Sequence, residues 1–301
     1  MVGPQALAPA KVNLFLHVGP VGDDGYHPLA SMVAFADVGD RLTAEGADRL
    51  SLRVTGRFAE GLADGDDNLV LKAIGALSDA AGRDLPMSLT LDKQLPVAAG
   101  LGGGSSDAGA ALKQARDLFG LPFDDDALAG VAEAVGADGP MCLHARAAWA
   151  EGRGDRLTFE PRLPPLPAVL INPCVPSPTG AVYRAYDSGP PGAADCPPPP
   201  DDWNPAAVID WLTAQRNDLQ NPAIGLQAAI GEALDEARRM QDTRLARMSG
   251  SGATVFALFD TVDDARSAAR TLQGRHPEWW IEATVLNGTT PATGVRPVQR
   301  P

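Results

Sequence analysis

A glycine-rich run near the middle of the chain has the composition of a loop that holds phosphate groups. Its residues are Pro96, Val97, Ala98, Ala99, Gly100, Leu101, Gly102, Gly103, Gly104, Ser105 and Ser106. A strand pattern precedes the run and a helix pattern follows it, and the first N–H groups of a helix are unpaired and carry partial positive charge. Glycine lets the backbone approach an anion closely, and Ser105 and Ser106 can cap the helix. The run is therefore predicted to cradle the phosphates of a nucleotide.

Two better-known phosphate loops do not fit this run. The P-loop ends in Gly-Lys-Ser/Thr, whereas Gly104, Ser105 and Ser106 include no lysine. The dinucleotide-binding fingerprint needs Gly or Ala at its last position, and a fingerprint that starts at Gly100 has Ser105 there. A plain glycine-rich connector is the remaining alternative, although this string is unusual for one.

The elements that must position the loop follow from hydrophobic periodicity. Alternation predicts a first strand in which Val12, Leu14, Leu16 and Val18 share one apolar face. In the first half we predict further strands at 32–37, 50–55 and 87–91. We also predict three helices: 69–81 between Asn68 and Gly82, 108–119 before Gly120, and a third from Asp126 to Gly136.

The second half interleaves strands and helices, which is typical of an α/β sandwich. The predicted order is strand 166–172, helix 222–240, strand 253–259, helix 262–273 and strand 279–286. Prolines between 161 and 167 indicate a boundary, so we expect domains at 1–160 and 161–286 and a disordered tail at 287–301. The Pro/Gly/Asp-rich residues 188–205 are predicted to form an exposed, mobile loop.

Composition excludes several classes of protein. The 301 residues carry a formal net charge of −13, which argues against broad binding to nucleic acid or to anionic membranes. Cys142, Cys174 and Cys196 match no metal motif or disulfide framework, and the first two are expected to be buried thiols. We see no signal peptide and no apolar run long enough to span a membrane. We expect a cytoplasmic protein with a small-molecule substrate and no nucleic-acid or membrane partner, either a monomer or a weak homodimer.

Three motifs in sequence order resemble those of the GHMP kinases, a family that includes galactokinase and the homoserine, mevalonate and phosphomevalonate kinases. The glycine-rich run resembles the second motif. Ala8 to Leu14 resembles the first motif, and Arg247 to Ala253 resembles the third. The resemblance covers residues 6 to about 286 and implies an ATP-dependent kinase of a small metabolite. It also implies a two-lobed α+β fold: an N-terminal nucleotide-binding α/β lobe, a C-terminal α/β-sandwich (ferredoxin-like) lobe, and an active site in the cleft between them.

Three local strings resemble one branch of that family, which acts in non-mevalonate isoprenoid biosynthesis. They are Lys11 to Leu16 with Asp24-Gly25-Tyr26-His27, Gly136 to Pro140, and Arg216 to Leu219. The resemblance implies phosphorylation of the 2-hydroxyl of 4-diphosphocytidyl-2-C-methyl-D-erythritol. Another GHMP small-molecule kinase, of the homoserine or mevalonate type, and a GHMP-fold metabolite sensor without catalysis are the alternatives.

The resemblance further implies a catalytic pair, Asp138 and Lys11. Spacing alone does not distinguish Asp138 among 38 acidic residues. A carboxylate at this position would take the proton of the acceptor hydroxyl, which is worth roughly 10²–10⁴-fold in rate. The Lys11 ammonium would keep that carboxylate ionised and stabilise the transferring phosphoryl group.

The remaining site residues are also implied by the resemblance. Tyr26, His27 and Tyr183 are expected to hold the cytidine half of the substrate, with Asn13, Asp138 and Thr179 as further substrate contacts. The cofactors are ATP and Mg²⁺, with Ser106 a possible metal contact. The role of Asp107 is left open. Gly139 departs from the family pattern in the turn that carries Asp138.

Overall fold

Strands and helices alternate along both halves of the chain in the computed structural model, which describes residues 5–60, 62 and 67–288. The strands of the first half are β1 (Ala6–Val18), β2 (Leu29–Gly46), β3 (Ser51–Thr55), β4 (Met87–Asp92), β5 (Ala148–Gly152) and β6 (Arg156–Phe159). Its helices are α1 (Leu69–Ala81), α2 (Gly103–Phe119), α3 (Asp125–Glu133) and α4 (Gly139–His144).

The second half contributes four strands and five helices to the described residues. The strands are β7 (Leu166–Asn172), β8 (Leu245–Met248), β9 (Val255–Leu258) and β10 (Trp280–Leu286). The helices are α5 (Thr179–Asp187), α6 (Pro205–Thr213), α7 (Gln220–Leu226), α8 (Ala228–Arg239) and α9 (Val262–Arg275).

Sheet topology confirms the expected α+β fold. In the first half β1, β4 and β5 pair antiparallel with β2, while β3 runs parallel to β4. The second half has the strand order β10-β7-β9-β8, all antiparallel, which is the ferredoxin-like arrangement of a β-α-β-β-α-β unit. The pair Leu286–Ala36 joins β10 to β2, so the two halves share one sheet.

Helices α1 and α2 cover the sheet of the first half because each has one apolar stripe. Asn68 begins α1 by accepting the N–H of Val70 at 2.9 Å, and Gly82 ends it in a left-handed conformation, as predicted. The buried residues of α2 are small, mainly alanines with Leu112, so the helix packs closely on the strands beneath it. This packing fixes the first turn of α2 relative to β1.

Several predicted boundaries were wrong. Helix 222–240 is two helices, because Gln227 takes an extended conformation (φ −140°, ψ 93°) between α7 and α8. Helix α3 is capped by Asp124 rather than Asp126, and it ends before Gly136. Strand 32–37 is only the middle of the longer β2. The α3 error is local, since Asp124 rather than Asp126 accepts the Ala127 N–H. The length of β2 is instead set by its pairing with β1, β4 and β5.

The segment 188–204 contains no helix or strand but is fastened to its surroundings. Gly192 N–H donates to the Tyr186 hydroxyl, and the Asp195 carbonyl accepts from His17 Nδ1, both at 2.8 Å. The predicted loop ends one residue early because Pro205 begins α6. Cys174 is exposed, contrary to expectation, whereas Cys142 is buried as expected. The expected tail lies outside the described residues from position 289 onward.

Candidate active site

A cleft of about 690 Å³ lies between the two halves, with the glycine-rich run on one wall. The first half contributes Lys11, Asn13 and Asp138, and the second half contributes Thr179 and Tyr183. Nine residues of the glycine-rich run also line the cleft: Pro96, Val97, Ala98, Ala99, Gly100, Gly102, Gly103, Gly104 and Ser105. The other two, Leu101 and Ser106, are buried away from it.

Lys11 and Asp138 form an ion pair in this cleft. Lys11 Nζ donates to Asp138 Oδ2 at 3.1 Å, with the lysine side chain 8% exposed and the aspartate side chain 41% exposed. Burial lowers the pKa of Lys11, but the Asp138 charge and hydrogen bond outweigh it, so the net shift is upward and the ammonium persists. Burial raises the pKa of the adjacent Cys142 thiol to about 12, so this thiol adds no charge to the pair.

The turn that carries Asp138 explains the glycine that follows it. Asp138 precedes the first residue of α4, and its carboxylate caps no N–H of that helix, so apart from its bond to Lys11 it is available to a ligand. A Cβ on Gly139 would overlap the carbonyl oxygen of Ala132. Any larger residue would push α4 away from α3. Gly139, the departure from the family pattern, is therefore explained by the close packing of the two helices and not by a role in the reaction.

The start of α2 leaves its amides unpaired. Gly102, in a left-handed conformation (φ 63°), precedes the helix and no side chain caps it. The predicted capping by Ser105 or Ser106 is therefore wrong, since both serines lie inside the first turn. The missing cap supports the prediction that this run binds phosphate, because uncapped N–H groups at a helix start remain available to an anion.

The third motif holds the glycine-rich run in place. Ser249 Oγ donates to the Gly100 carbonyl at 2.9 Å and accepts the backbone N–H of Asn13 at 3.1 Å. Thr254 N–H donates to the Ala99 carbonyl at 3.1 Å. Asn217 supports this turn by donating to the Met248 and Gly250 carbonyls, both at 2.8 Å. The two glycine-rich segments thus form one backbone-built wall.

Arg247, the first residue of the third motif, does not face the cleft. Its buried guanidinium donates to the Leu14 carbonyl at 2.7 Å and the Leu212 carbonyl at 2.8 Å. Burial lowers the pKa of this guanidinium to about 10. Arg247 therefore ties β8 to β1 and to the end of α6, a structural role.

The opposite wall is formed by side chains at the start of α5. Thr179 Oγ1 lies 2.9 Å from Ser251 Oγ, which joins α5 to the third motif. Burial, and then the Asp138 charge, raises the pKa of Tyr183 to about 12, so this phenol is neutral. Asn13 donates to Ser31 Oγ at 2.8 Å, and its buried Oδ1 has no hydrogen-bond partner within the described ranges 5–60, 62 and 67–288.

Tyr26 and His27 do not line this cleft. They line a separate hollow of about 300 Å³, in which the Arg153 guanidinium lies 4.2 Å from the centre of the Tyr26 ring. His27 packs behind Tyr183 with ring centres 5.0 Å apart. Its Nδ1 donates to the Gly19 carbonyl at 2.9 Å, and its Nε2 lies 3.2 Å from Asp187. Arg153 lines both cavities and connects them.

Sequence reasoning missed a buried ion triad beside the glycine-rich run. Lys93 Nζ lies 2.5 Å from Asp40 Oδ2 and 2.8 Å from Asp107 Oδ2, and Lys93 and Asp107 line the cleft. One signal was available: Lys93 is one of four lysines and lies three residues before Pro96. Its partner Asp40 is more than fifty residues away, and no local pattern indicates that pairing.

Comparison with known proteins agrees with this geometry. The families "GHMP kinases N terminal domain" and "GHMP kinases C terminal" match residues 68–146 and 205–277. A 4-diphosphocytidyl-2-C-methyl-D-erythritol kinase of Caulobacter vibrioides is 52% identical over 288 residues, covering 94% of this chain and 99% of the relative. One of Parvibaculum lavamentivorans is 44% identical over 293 residues, covering 96% of this chain and all of the relative.

Solved structures give the same result. A crystal structure of a 4-(cytidine 5′-diphospho)-2C-methyl-D-erythritol kinase is 34% identical, with a TM-score of 0.74, and the match covers 95% of this chain and all of that one. A homoserine kinase from Cytophaga hutchinsonii shares the fold at 18% identity and a TM-score of 0.65, with 95% of each chain covered. Both family matches and the long, high-identity relatives show that this chain belongs to the GHMP kinase family.

Proposed function

We propose that this protein transfers the γ-phosphate of ATP to the 2-hydroxyl of 4-diphosphocytidyl-2-C-methyl-D-erythritol. The Lys11–Asp138 pair carries the proposal, because its ammonium and carboxylate lie beside the uncapped start of α2, where we expect the ATP phosphates to bind. The substrate follows from relatives of 44–52% identity over nearly the whole chain, whose names state this activity. In the described residues no helix has both the length and the apolar character needed to cross a bilayer.

In the proposed chemistry, Asp138 acts as the general base. Its carboxylate takes the proton of the 2-hydroxyl as that oxygen attacks the γ-phosphorus of ATP. The bond from the γ-phosphorus to the oxygen it shares with the β-phosphate breaks, and ADP leaves with the electron pair. Lys11 offsets the negative charge that spreads over the transferring group. A carboxylate base is worth roughly 10²–10⁴-fold in rate.

The ATP phosphates would lie against the glycine-rich run. The N–H groups of Gly103, Gly104 and Ser105 are the first of α2 and make no bond within the helix. The positive end of the helix dipole favours anions at this point. Lys11 N–H donates to the Leu101 carbonyl at 2.8 Å, so the reacting lysine and the phosphate wall are fastened together.

The acceptor would occupy the side of the cleft formed by α5. We assign Tyr183 to stacking on the cytosine, and Asn13 Oδ1 and Thr179 to polar contacts, because all three line the cleft near Asp138. Tyr26 and His27 remain predicted contacts. In the present arrangement His27 supports Tyr183 from behind, and Tyr26, 56% exposed, would have to turn inward to reach the base.

Mg²⁺ is proposed to accompany ATP. This ion takes oxygen ligands, usually one or two carboxylates together with nucleotide phosphates. The described residues contain no cluster of three or more His, Cys, Asp or Glu side chains able to hold a metal. Ser106 is buried outside the cleft, so its hydroxyl does not fit the proposed contact. Asp138, the carboxylate beside the transfer site, would be the protein ligand of Mg²⁺. The nucleotide phosphates would supply further oxygen ligands.

The test is a transfer assay with purified protein, ATP and Mg²⁺ on separate acceptors. We expect ADP release with 4-diphosphocytidyl-2-C-methyl-D-erythritol, and a new phosphomonoester at the 2-position in the ³¹P spectrum. Phosphorylation of homoserine or mevalonate instead would assign the chain to a sister activity. Nucleotide binding without transfer to any acceptor of the family would identify a sensor.

A further inference from the structure

The ion triad of Asp40, Lys93 and Asp107 lies under the first turn of α2 and has no part in the proton transfer proposed above. All three side chains are buried. Burial lowers the pKa of Lys93, but the charges and hydrogen bonds of Asp107 and Asp40 outweigh that effect, so the net shift is upward. Two acids share one base, which leaves one surplus negative charge when all three groups are ionised.

The two aspartates differ in how completely they are satisfied. Asp40 Oδ1 accepts the backbone N–H groups of Gln94 at 2.6 Å and Leu95 at 2.9 Å, so Asp40 also fixes the chain that leads into the glycine-rich run. Asp107 bonds Lys93 through Oδ2, while its buried Oδ1 has no hydrogen-bond partner among the residues that the structure describes. Asp107 and Lys93 both line the cleft, so the triad faces the nucleotide side.

Lys93 lies directly beside the amides that begin α2. A Cβ built on Gly103 would be 3.4 Å from Lys93 Nζ, and Gly103 is the first residue of the helix. P-loops carry a lysine within their glycine motif, where it meets the nucleotide phosphates. The run in this chain has none, and the segment that precedes it brings a lysine to the helix start.

We propose that Lys93 is the cation of the phosphate cradle, a positioning residue that Asp40 and Asp107 hold at the start of α2 and whose charge strengthens binding of the nucleotide phosphates. This inference rests on the proposed nucleotide site. Asp107 acts in the opposite sense, because its surplus charge opposes the incoming phosphates. Charge, and not only packing, then sets the affinity for ADP.

Isothermal titration of ADP in EDTA, at pH 8.5, tests the order of affinities that charge predicts. Burial raises the pKa of Asp107 to about 7, so this carboxyl is ionised at that pH. Lys93→Met removes the positive charge, and because Lys93 no longer lowers the pKa of Asp107, that carboxyl takes up a proton that offsets part of the lost charge. We expect several-fold weaker ADP binding, since the cation beside the phosphates is gone. Asp107→Asn leaves no surplus negative charge, and we expect binding as tight as wild type or a few-fold tighter. The double variant restores the wild-type charge and should lie within about threefold of wild type.

Two controls separate charge from structure. Lys113→Met removes a lysine from the same helix, ten residues from Gly103 or about 15 Å along the axis, and should leave ADP affinity unchanged. Adenosine, which has no phosphate, should bind all variants alike. A purely structural triad would instead weaken ADP and adenosine together in both single variants, and that result would overturn the inference.

The outcomes also distinguish this inference from the proposed function. If wild-type protein binds no ADP, both are overturned. If wild-type protein binds ADP but Asp107→Asn binds it several-fold more weakly, only the role of Lys93 is overturned. Should Lys93→Met fail to fold, Asp107→Asn still decides, because it keeps Lys93 and is expected to bind ADP at least as tightly as wild type.

Discussion

The two ends of the cleft differ in whether backbone groups or side chains line them. At the nucleotide end, backbone groups of the glycine-rich run are held by the third motif, through Ser249 Oγ on the Gly100 carbonyl and Thr254 N–H on the Ala99 carbonyl. The other end, where we propose that the acceptor binds, is lined by side chains from separate elements, including Tyr183 and Arg153. The proposed assignment gives the nucleotide, a partner common to these kinases, to the end built from backbone. It gives the acceptor, which differs between the homoserine and cytidine-linked kinases, to the end built from side chains.

The ends meet at Lys11 and Asp138, and the first prediction has the largest expected effect. Asp138→Asn removes the base while leaving the glycine-rich run intact. We expect kcat to fall at least about 10²-fold with little change in ATP affinity. Steady-state kinetics and ADP titration measure the two quantities. Asp126→Asn, a matched change of an exposed aspartate, should leave both near wild type. A near-normal rate for Asp138→Asn would remove it from the role of base.

Breaking the nucleotide end should affect nucleotide binding and stability together. Gly100 has φ 74°, and a Cβ there would overlap the Ser249 carbonyl oxygen. We expect Gly100→Ala to weaken ADP binding about tenfold and to lower the free energy of unfolding by about 1–3 kcal/mol. Gly75→Ala is the control, since Gly75 lies within α1 with open space around it and alanine should stabilise that helix by about 0.5–1 kcal/mol. Equal behaviour of the two variants would contradict a rigid backbone wall.

Breaking the acceptor end should change only acceptor binding. Tyr183→Ala removes the proposed stacking surface, and we expect the KM for the cytidine substrate to rise about tenfold, with the KM for ATP unchanged. Tyr183→Phe keeps the ring and should stay near wild type. Tyr26→Ala should have a smaller effect, because Tyr26 lies outside the cleft. A larger effect of Tyr26→Ala than of Tyr183→Ala would show that Tyr26 turns inward and is the main stacking residue.

The smallest expected effect is a loss of protein stability at low pH, caused by protonation of the buried His17. His17 Nδ1 donates to the Asp195 carbonyl, and in the described part of the chain its buried Nε2 has no hydrogen-bond partner. Burial lowers the pKa of His17, and Arg216 and Arg247 act in the same direction, although the Asp195 bond and the Asp218 charge oppose them. The unfolded state therefore binds more protons, and the contribution of neutral His17 is lost as pH falls below about 6.5.

Thermal unfolding at pH 7.5 and 5.5 measures that contribution. Wild type should lose more Tm between these pH values than His17→Asn, which cannot be protonated. His144 also has a lowered pKa through burial, so some loss should remain in the variant. Equal losses in wild type and His17→Asn would exclude His17 as a source of acid sensitivity.

Local sequence signals predicted the features that neighbouring residues determine. The cap at Asn68, the stop at Gly82 and the end of α2 before Gly120 depend on contacts within a few residues, and these predictions are confirmed. The predicted start of α2 at residue 108 was wrong, because the helix begins at Gly103, inside the glycine-rich run. The ferredoxin-like second lobe, implied by the family resemblance, is confirmed as well. The capping of α2 was predicted wrongly, because Gly102 in a left-handed conformation begins the helix and places both serines inside it.

The ion triad shows why the rest could not be predicted. Asp40 and Lys93 are 53 residues apart and meet only because β2 pairs with β4. The separation of Tyr26 and His27 from the cleft likewise depends on where the chain between β1 and β2 packs against β5 and α5. Such juxtapositions come from sheet pairing across the molecule, and a single sequence contains no local pattern for them.

We propose above all that the acceptor end of the cleft selects the cytidine-linked substrate for transfer through Asp138. The most direct measurement is a competition assay in which 4-diphosphocytidyl-2-C-methyl-D-erythritol, homoserine and mevalonate are present at equal concentration with ATP and Mg²⁺, and products are identified by mass spectrometry. We predict a single phosphorylated product from the cytidine substrate, absent with Asp138→Asn. Preferential phosphorylation of homoserine or mevalonate would contradict the proposed substrate selection. An undiminished yield with Asp138→Asn would contradict the proposed role of Asp138.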